Sequence, residues 1–202
     1  MTTTLPPHHS AFAKALALTR VDDLECMIQL PVGITLDPGG LGKGLAADLV
    51  AAELVASGAL GACVNIGGDL RCLGVGPNEE AWNVDIESPF DASVIIEKLA
   101  IHNGGVATSS TRAKRWHTQR GKFHHVLSPR THTPIPENSD TPVQVTVIGA
   151  EAVWAETFAT AILVAGTTKG LALVQESHLA ALVFLNSGDV VANGHWKEFV
   201  RC

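Results

Sequence analysis

The stretch Val143-Gln144-Val145-Thr146-Val147-Ile148, followed after Gly149 by Ala150 to Val164, changes its apolar period within a few residues. Apolar side chains first fall at every second position, then at helical spacing through Val153, Trp154, Phe158, Ile162 and Leu163, so a strand leads directly into a helix. Upstream, Ala62 to Ile66 and Leu70 to Val75 are apolar runs separated by Gly67-Gly68-Asp69, the pattern of two strands joined by a hairpin turn. Trp82 to Glu87 alternates, and Ile95 to Ile101 and Val106 to Ser109 read as further strands. Glu25 to Leu36 carries β-type residues interrupted by Pro31 and Gly33, which predicts two short strands or one broken strand. Gly44 to Val55 predicts a helix with an apolar face of Leu45, Leu49, Val50, Ala52 and Leu54, stopped by Ser57-Gly58 and Gly61. A short helix from Thr168 and a strand from Leu179 to Leu185 complete the set. Consecutive strands followed by helices describe an α+β domain and not a repeating βαβ array.

The 202 residues fit one domain, 1–202, with a loose polar start over 1–10 in which His8 and His9 are solvated. A net charge of −6 argues against broad affinity for nucleic acid or an anionic membrane, since both require a basic surface. Cys26, Cys63, Cys72 and Cys202 lack metal-site spacing and read as buried small hydrophobes. No apolar run reaches the ~20 residues needed to span a bilayer, and no basic leader precedes one, so the expected location is cytoplasmic. Pro134 to Pro142, with three prolines, reads as a loop.

Asp37-Pro38-Gly39-Gly40-Leu41-Gly42-Lys43-Gly44 places a carboxylate, a glycine-dense turn and a lysine at the mouth of the first helix, where backbone groups can hold phosphate and a cation. The same residues also suit a plain strand-to-helix turn capped by Asp37. A nucleoside-triphosphate loop is excluded, because it requires Ser or Thr after the lysine and four residues between its glycines. A dinucleotide fingerprint fails for want of the βαβ frame and the ribose-binding acid. Glu156 and Thr160, four apart on one helix face, suit either a hard cation or a helix acid with a back-bonding threonine.

Five segments in order carry more than any one of them. Asp37-x-Gly-Gly-x-x-Lys-Gly, Asn65-Ile66-Gly67-Gly68-Asp69, Ala107-Thr108-Ser109, His125-Val126-Leu127-x-Pro129-Arg130-Thr131 and Ala155-Glu156-x-x-Ala159-Thr160 together resemble the ApbE family of FAD:protein FMN transferases. The resemblance runs from about Ile34 to Gly166 and corresponds to the C-terminal two-thirds of the family fold. It implies a T-fold-like arrangement of sheet and helices, and an enzyme that uses Mg2+ to move FMN from FAD to a threonine hydroxyl of an acceptor flavoprotein through a phosphoester bond.

By that resemblance the Gly40 carbonyl, Glu156 and Thr160 hold the metal. Asp37, Lys43, Thr108, Ser109 and Leu127 meet the flavin nucleotide, and His125 moves or orients the proton. Asp48 is equally a solvated helix charge or a site acid, and Asn65 and Asp69 support the glycine turn. Arg112, Lys114 and Arg115 form one basic cluster, open to phosphate or to solvent. The sequence departs from the family pattern at Glu156, where Asp is usual, at Ser110 and His132, where Gly is usual, and at Ser128, where Asp is usual. Only 36 residues precede Asp37, which leaves open a missing N-terminal segment or a homo-oligomer. The alternatives to transfer are a catalytically silent flavin-binding module and a pyrophosphatase that releases FMN and AMP from FAD.

Overall fold

The computed structural model describes residues 17–119, 121–193 and 195–201. The loose start expected over 1–10, with His8 and His9, lies outside the described residues, as does Cys202. The chain divides into two compact units, Met1–Pro38 and Gly39–Cys202. In the first, β1 (Arg20–Asp22) and β2 (Met27–Gln29) pair antiparallel, and Asp22 Oδ1 accepts from the N–H groups of Leu24 and Glu25 to close the turn. The expectation of two strands or a broken strand over Glu25 to Leu36 is therefore corrected. Only Met27–Gln29 is extended into a ladder, because Pro31 removes a donor and Gly33 sits at φ 83°.

The second unit runs α1 (Gly42–Ala56), β3 (Gly61–Ile66), β4 (Asp69–Gly74), β5 (Trp82–Glu87), β6 (Ile95–Ile101), β7 (Gly104–Ser110), β8 (Arg115–Thr118), β9 (Gly121–His124), β10 (Pro142–Gly149), α2 (Ala152–Ala165), α3 (Thr167–Glu176), β11 (Ala180–Leu185) and β12 (Val190–Ala192). Six strands form one antiparallel sheet in the order β12-β11-β10-β7-β4-β3. The architecture is α+β, as the order of apolar periods predicts. The β3–β4 turn has both central residues, Gly67 and Gly68, at positive φ (60° and 96°), the condition that a two-residue hairpin turn imposes. The hairpin β8–β9 and the short strand β12 were not predicted, since neither carries an apolar alternation of useful length.

Strand alternation sorts the core onto the two faces of the sheet. Ala107, Val145, Val147, Ala181 and Val183 pack with Ala155, Ala159, Ile162 and Leu163 of α2. Val106, Ile148, Ala180, Leu182 and Phe184 face the β5–β6 hairpin and Trp196, through Val84, Ile86, Leu99 and Ile101. A bulge between Pro142 and Gln144 sends Val143 to the hairpin side, out of step with Val145.

Glycines fix the closest approach of the helices. A Cβ on Gly44 would stand 2.4 Å from the Ala152 carbonyl oxygen, and one on Gly105 would stand 2.2 Å from the Ala152 nitrogen. Both α1 and β7 thus meet the start of α2 at backbone distance. Gly44→Ala would gain about 1 kcal/mol of helix propensity, yet it drives a methyl into a carbonyl that cannot move aside. We expect a net loss of about 1–3 kcal/mol in urea denaturation; an unchanged midpoint would contradict this packing.

Candidate functional site

Two helix N-termini meet where α1 and α2 begin, and each takes an acid from the other. α1 has Leu41 at its N-cap and no side-chain cap of its own. The third N–H of the helix, that of Gly44, donates instead to Glu156 Oε2 at 2.7 Å. α2 likewise has no cap of its own, and the N–H groups of Ala152 and Val153 donate to Asp48 Oδ1 and Oδ2, each at 2.9 Å. Carboxylates at helix starts satisfy orphan donors and complement the positive end of the helix dipole. Asp48 is therefore not a solvated charge. It is the cap of α2, held in turn by Arg71 at 3.2 Å, whose guanidinium also donates to the Ala150 carbonyl at 2.8 Å.

Glu156 is 2% exposed, and its Oε1 is buried with no hydrogen-bond partner. The Lys43 ammonium lies 3.4 Å from that oxygen and is paired with Asp69, which is 1% exposed. Burial works to lower the Lys43 pKa, but the hydrogen bond and charge of Asp69, with the charge of Glu156, outweigh it and raise the group above its ordinary value. Asp69 is also raised, by burial first and by Glu156 in part, although Lys43 and the Thr108 N–H pull the other way. Both directions follow from one arrangement, two acids sharing a single ammonium.

Asp69 is the residue that sequence reasoning undervalued as a turn support. Its other oxygen, Oδ1, accepts from the Thr108 N–H at 3.3 Å, so it ties β4, β7 and the glycine turn together. The only signal available was an acid opening an apolar strand after a glycine turn, because Lys43 is 26 positions away.

Around this centre Ser109 Oγ and Thr160 Oγ1 share a hydrogen bond of 2.9 Å, as do Thr108 Oγ1 and Thr146 Oγ1. Gly40 lies beside Thr160, since a Cβ built on it would be in ordinary contact, 3.9 Å from the Thr160 methyl. Gly40, Lys43, Ser109, Glu156 and Thr160 therefore converge, while Asp37 belongs to the first unit. Leu127 is exposed and bridges Pro134. Of the two adjacent histidines, His124 is buried on the Ile135 carbonyl, and His125 is exposed. The His125 pKa lies below its ordinary value of 6.5, by partial burial first and then by the charges of Lys114, His124 and Lys43, against a backbone hydrogen bond with Lys114.

Two expectations need correction. Among the described cysteines Cys72 is buried, whereas Cys26 and Cys63 are exposed, Cys63 because it lies on the edge strand β3. The basic cluster is dispersed: Arg112 donates to Asn186 and stacks over Phe90, and Arg115 pairs with Glu137. His132, standing where the resemblance expects glycine, adopts the left-handed φ of 56° that glycine supplies at lower cost.

Among the described residues no three His, Cys, Asp or Glu side chains gather as a metal cluster. A cation at the converging site would draw on Glu156 Oε1, a hydroxyl and a backbone carbonyl. All are hard oxygen donors, and the orphaned carboxylate oxygen fits such an ion.

A model of the ApbE family matches residues 2–183. The chain belongs to the ApbE family. A FAD:protein FMN transferase of Klebsiella pneumoniae is 30% identical over 184 residues, which cover 87% of this chain and 55% of that protein. One of Salmonella typhimurium is 30% identical over 155 residues, covering 76% of this chain and 43% of that protein. The chain spans about half the length of the curated ApbE relatives it matches. The apo flavinyl transferase ApbE of Pseudomonas stutzeri superposes with a TM-score of 0.71 at 26% identity, over 95% of this chain and 61% of that one. An ApbE protein of Thermotoga maritima shares the fold with a TM-score of 0.79 at 24% identity, over 98% and 65%. Among the described residues, no helix is long and apolar enough to cross a membrane.

The mutual capping gives a direct stability test. Asp48→Ala removes both acceptors from the start of α2 and leaves Arg71 unpaired, for an expected loss of about 2–3 kcal/mol in chemical denaturation. Asp48→Asn, which keeps one acceptor oxygen, should lose less; equal losses would rule out capping as the role of the side chain.

Proposed function

We propose that this domain performs Mg2+-dependent transfer of FMN from FAD to a threonine hydroxyl of an acceptor flavoprotein. The observation that supports this reading is the buried Glu156 Oε1, without a hydrogen-bond partner and 3.4 Å from the Lys43 ammonium at the mouth of a glycine turn. The Lys43 ammonium meets that oxygen only as an ion-pair contact and is already bonded to Asp69, so a further cation would complete the neutralisation of the buried carboxylate.

In this account Glu156, Thr160 and the Gly40 carbonyl would hold the Mg2+. When bound, the ion neutralises charge on the diphosphate and on the departing AMP. Lys43, kept protonated by Asp69 and Glu156, turns from these acids to the phosphate oxygens. Thr108, Ser109 and the backbone at Leu127 line the nucleotide side of the cleft. His125, neutral near pH 7, takes the proton from the attacking threonine hydroxyl as the new phosphoester bond forms and the phosphoanhydride breaks.

Incubation with FAD and Mg2+, with and without a threonine-bearing acceptor, tests the reading. FMN joined to the acceptor is the expected result. Free FMN and AMP would mark a pyrophosphatase, and intact bound FAD a silent flavin-binding module. No binding at all would remove every flavin reading.

Two variants probe the assigned roles. Glu156→Gln keeps an oxygen for the Gly44 N–H, so the fold should persist while Mg2+-dependent turnover disappears; unchanged turnover would exclude Glu156 as a ligand. Glu156→Asp, restoring the usual family residue, should preserve or raise turnover. For His125 the lowered pKa means that the free base is lost only as pH falls below 6.5. The acid limb of kcat should therefore lie below pH 6.5. His125→Gln should abolish that limb and lower kcat by roughly 10²–10⁴-fold; a limb that survives the substitution belongs to another group.

A further inference from the structure

Cys63 and Cys72 face each other directly across the antiparallel pair β3–β4. Their sulfur atoms lie 3.6 Å apart, with Cys72 buried against the β5–β6 side of the sheet and Cys63 exposed on the edge strand. Directly opposed residues of antiparallel strands have Cα atoms about 4.5–5.5 Å apart, within the roughly 4.4–6.8 Å that a disulfide spans. Bond formation then requires the two sulfurs to close by about 1.5 Å, to a bond of ~2.05 Å.

We propose that Cys63 and Cys72 form an oxidisable dithiol that closes into an intrachain cross-strand disulfide. The exposed member attacks first. The hydrogen bond from Cys72 brings the Cys63 pKa down to about 7 against the opposing effect of burial, whereas the Cys72 thiol is raised, so Cys63 supplies the thiolate. With a small-molecule disulfide such as oxidised glutathione, the Cys63 thiolate displaces one glutathione thiolate and forms a mixed disulfide. Cys72, losing its proton to that thiolate or to water, then attacks Cys63 Sγ and releases the second glutathione. Two protein thiols are oxidised and one disulfide is reduced to two thiols, which balances the exchange.

The position gives the bond a structural consequence. The rungs Val64↔Arg71, Asn65↔Leu70 and Ile66↔Asp69 lead from the cysteines to the glycine turn, and the last of them carries the acid that holds Lys43. Closure ties together the strands that deliver Asp69. Cys26 is remote in sequence and lies in the β1–β2 turn, so it serves as an internal control for general thiol reactivity.

The whole protein, treated with oxidised glutathione, alkylated and digested with trypsin, gives the test. Cleavage after Arg71 separates the two cysteines, so the expected product is residues 44–71 joined to residues 72–98, split by reduction. Cys63→Ser should abolish that product and leave Cys72 free and alkylated only after unfolding. Recovery of Cys63 only as the glutathione adduct, only in an interchain link, or unmodified would overturn the proposal.

Discussion

Two helices that lack caps of their own exchange carboxylates, and the candidate site is organised by that exchange. Glu156 of α2 accepts from the start of α1, and Asp48 of α1 accepts from the start of α2. Because the donors are backbone groups, the helices must approach without side chains between them, which is why Gly44 faces Ala152. One acid is fully used by its cap. The other has an oxygen to spare, and Lys43 is brought to it by the same glycine turn.

The buried charges in this small volume do not pair one to one. Asp69 and Glu156 are both buried, and one ammonium does not neutralise two carboxylates at close range. Under the proposed function, a divalent cation would relieve that imbalance and free Lys43 to meet an incoming anion. The surrounding hydroxyls of Ser109 and Thr160 are already hydrogen-bonded to each other, so they are held in place before any ligand arrives.

Much of this was legible in the chain because the strands carry period-two alternation and α2 carries a clean helical period. Trp82–Glu87 and Ile95–Ile101 fall where the pattern predicts. The capping role of Asp48 was not legible, since its partners are over a hundred positions away and are backbone groups that no residue type announces. Asp69 looked like a turn residue for a related reason: its burial is set by β7 and by Lys43, and neither is visible from the turn itself. The β8–β9 hairpin is too short and too weakly alternating to be read locally, and the exposure of Cys63 depends on sheet order, which local sequence does not encode.

A crystal structure of the protein soaked with FAD and Mg2+ addresses the central claim most directly. The account predicts a cation contacted by Glu156 Oε1, Thr160 Oγ1 and the Gly40 carbonyl, with the Lys43 ammonium moved from Asp69 onto a phosphate oxygen. FAD bound elsewhere, with Lys43 still held between Asp69 and Glu156 and no cation beside them, would contradict it.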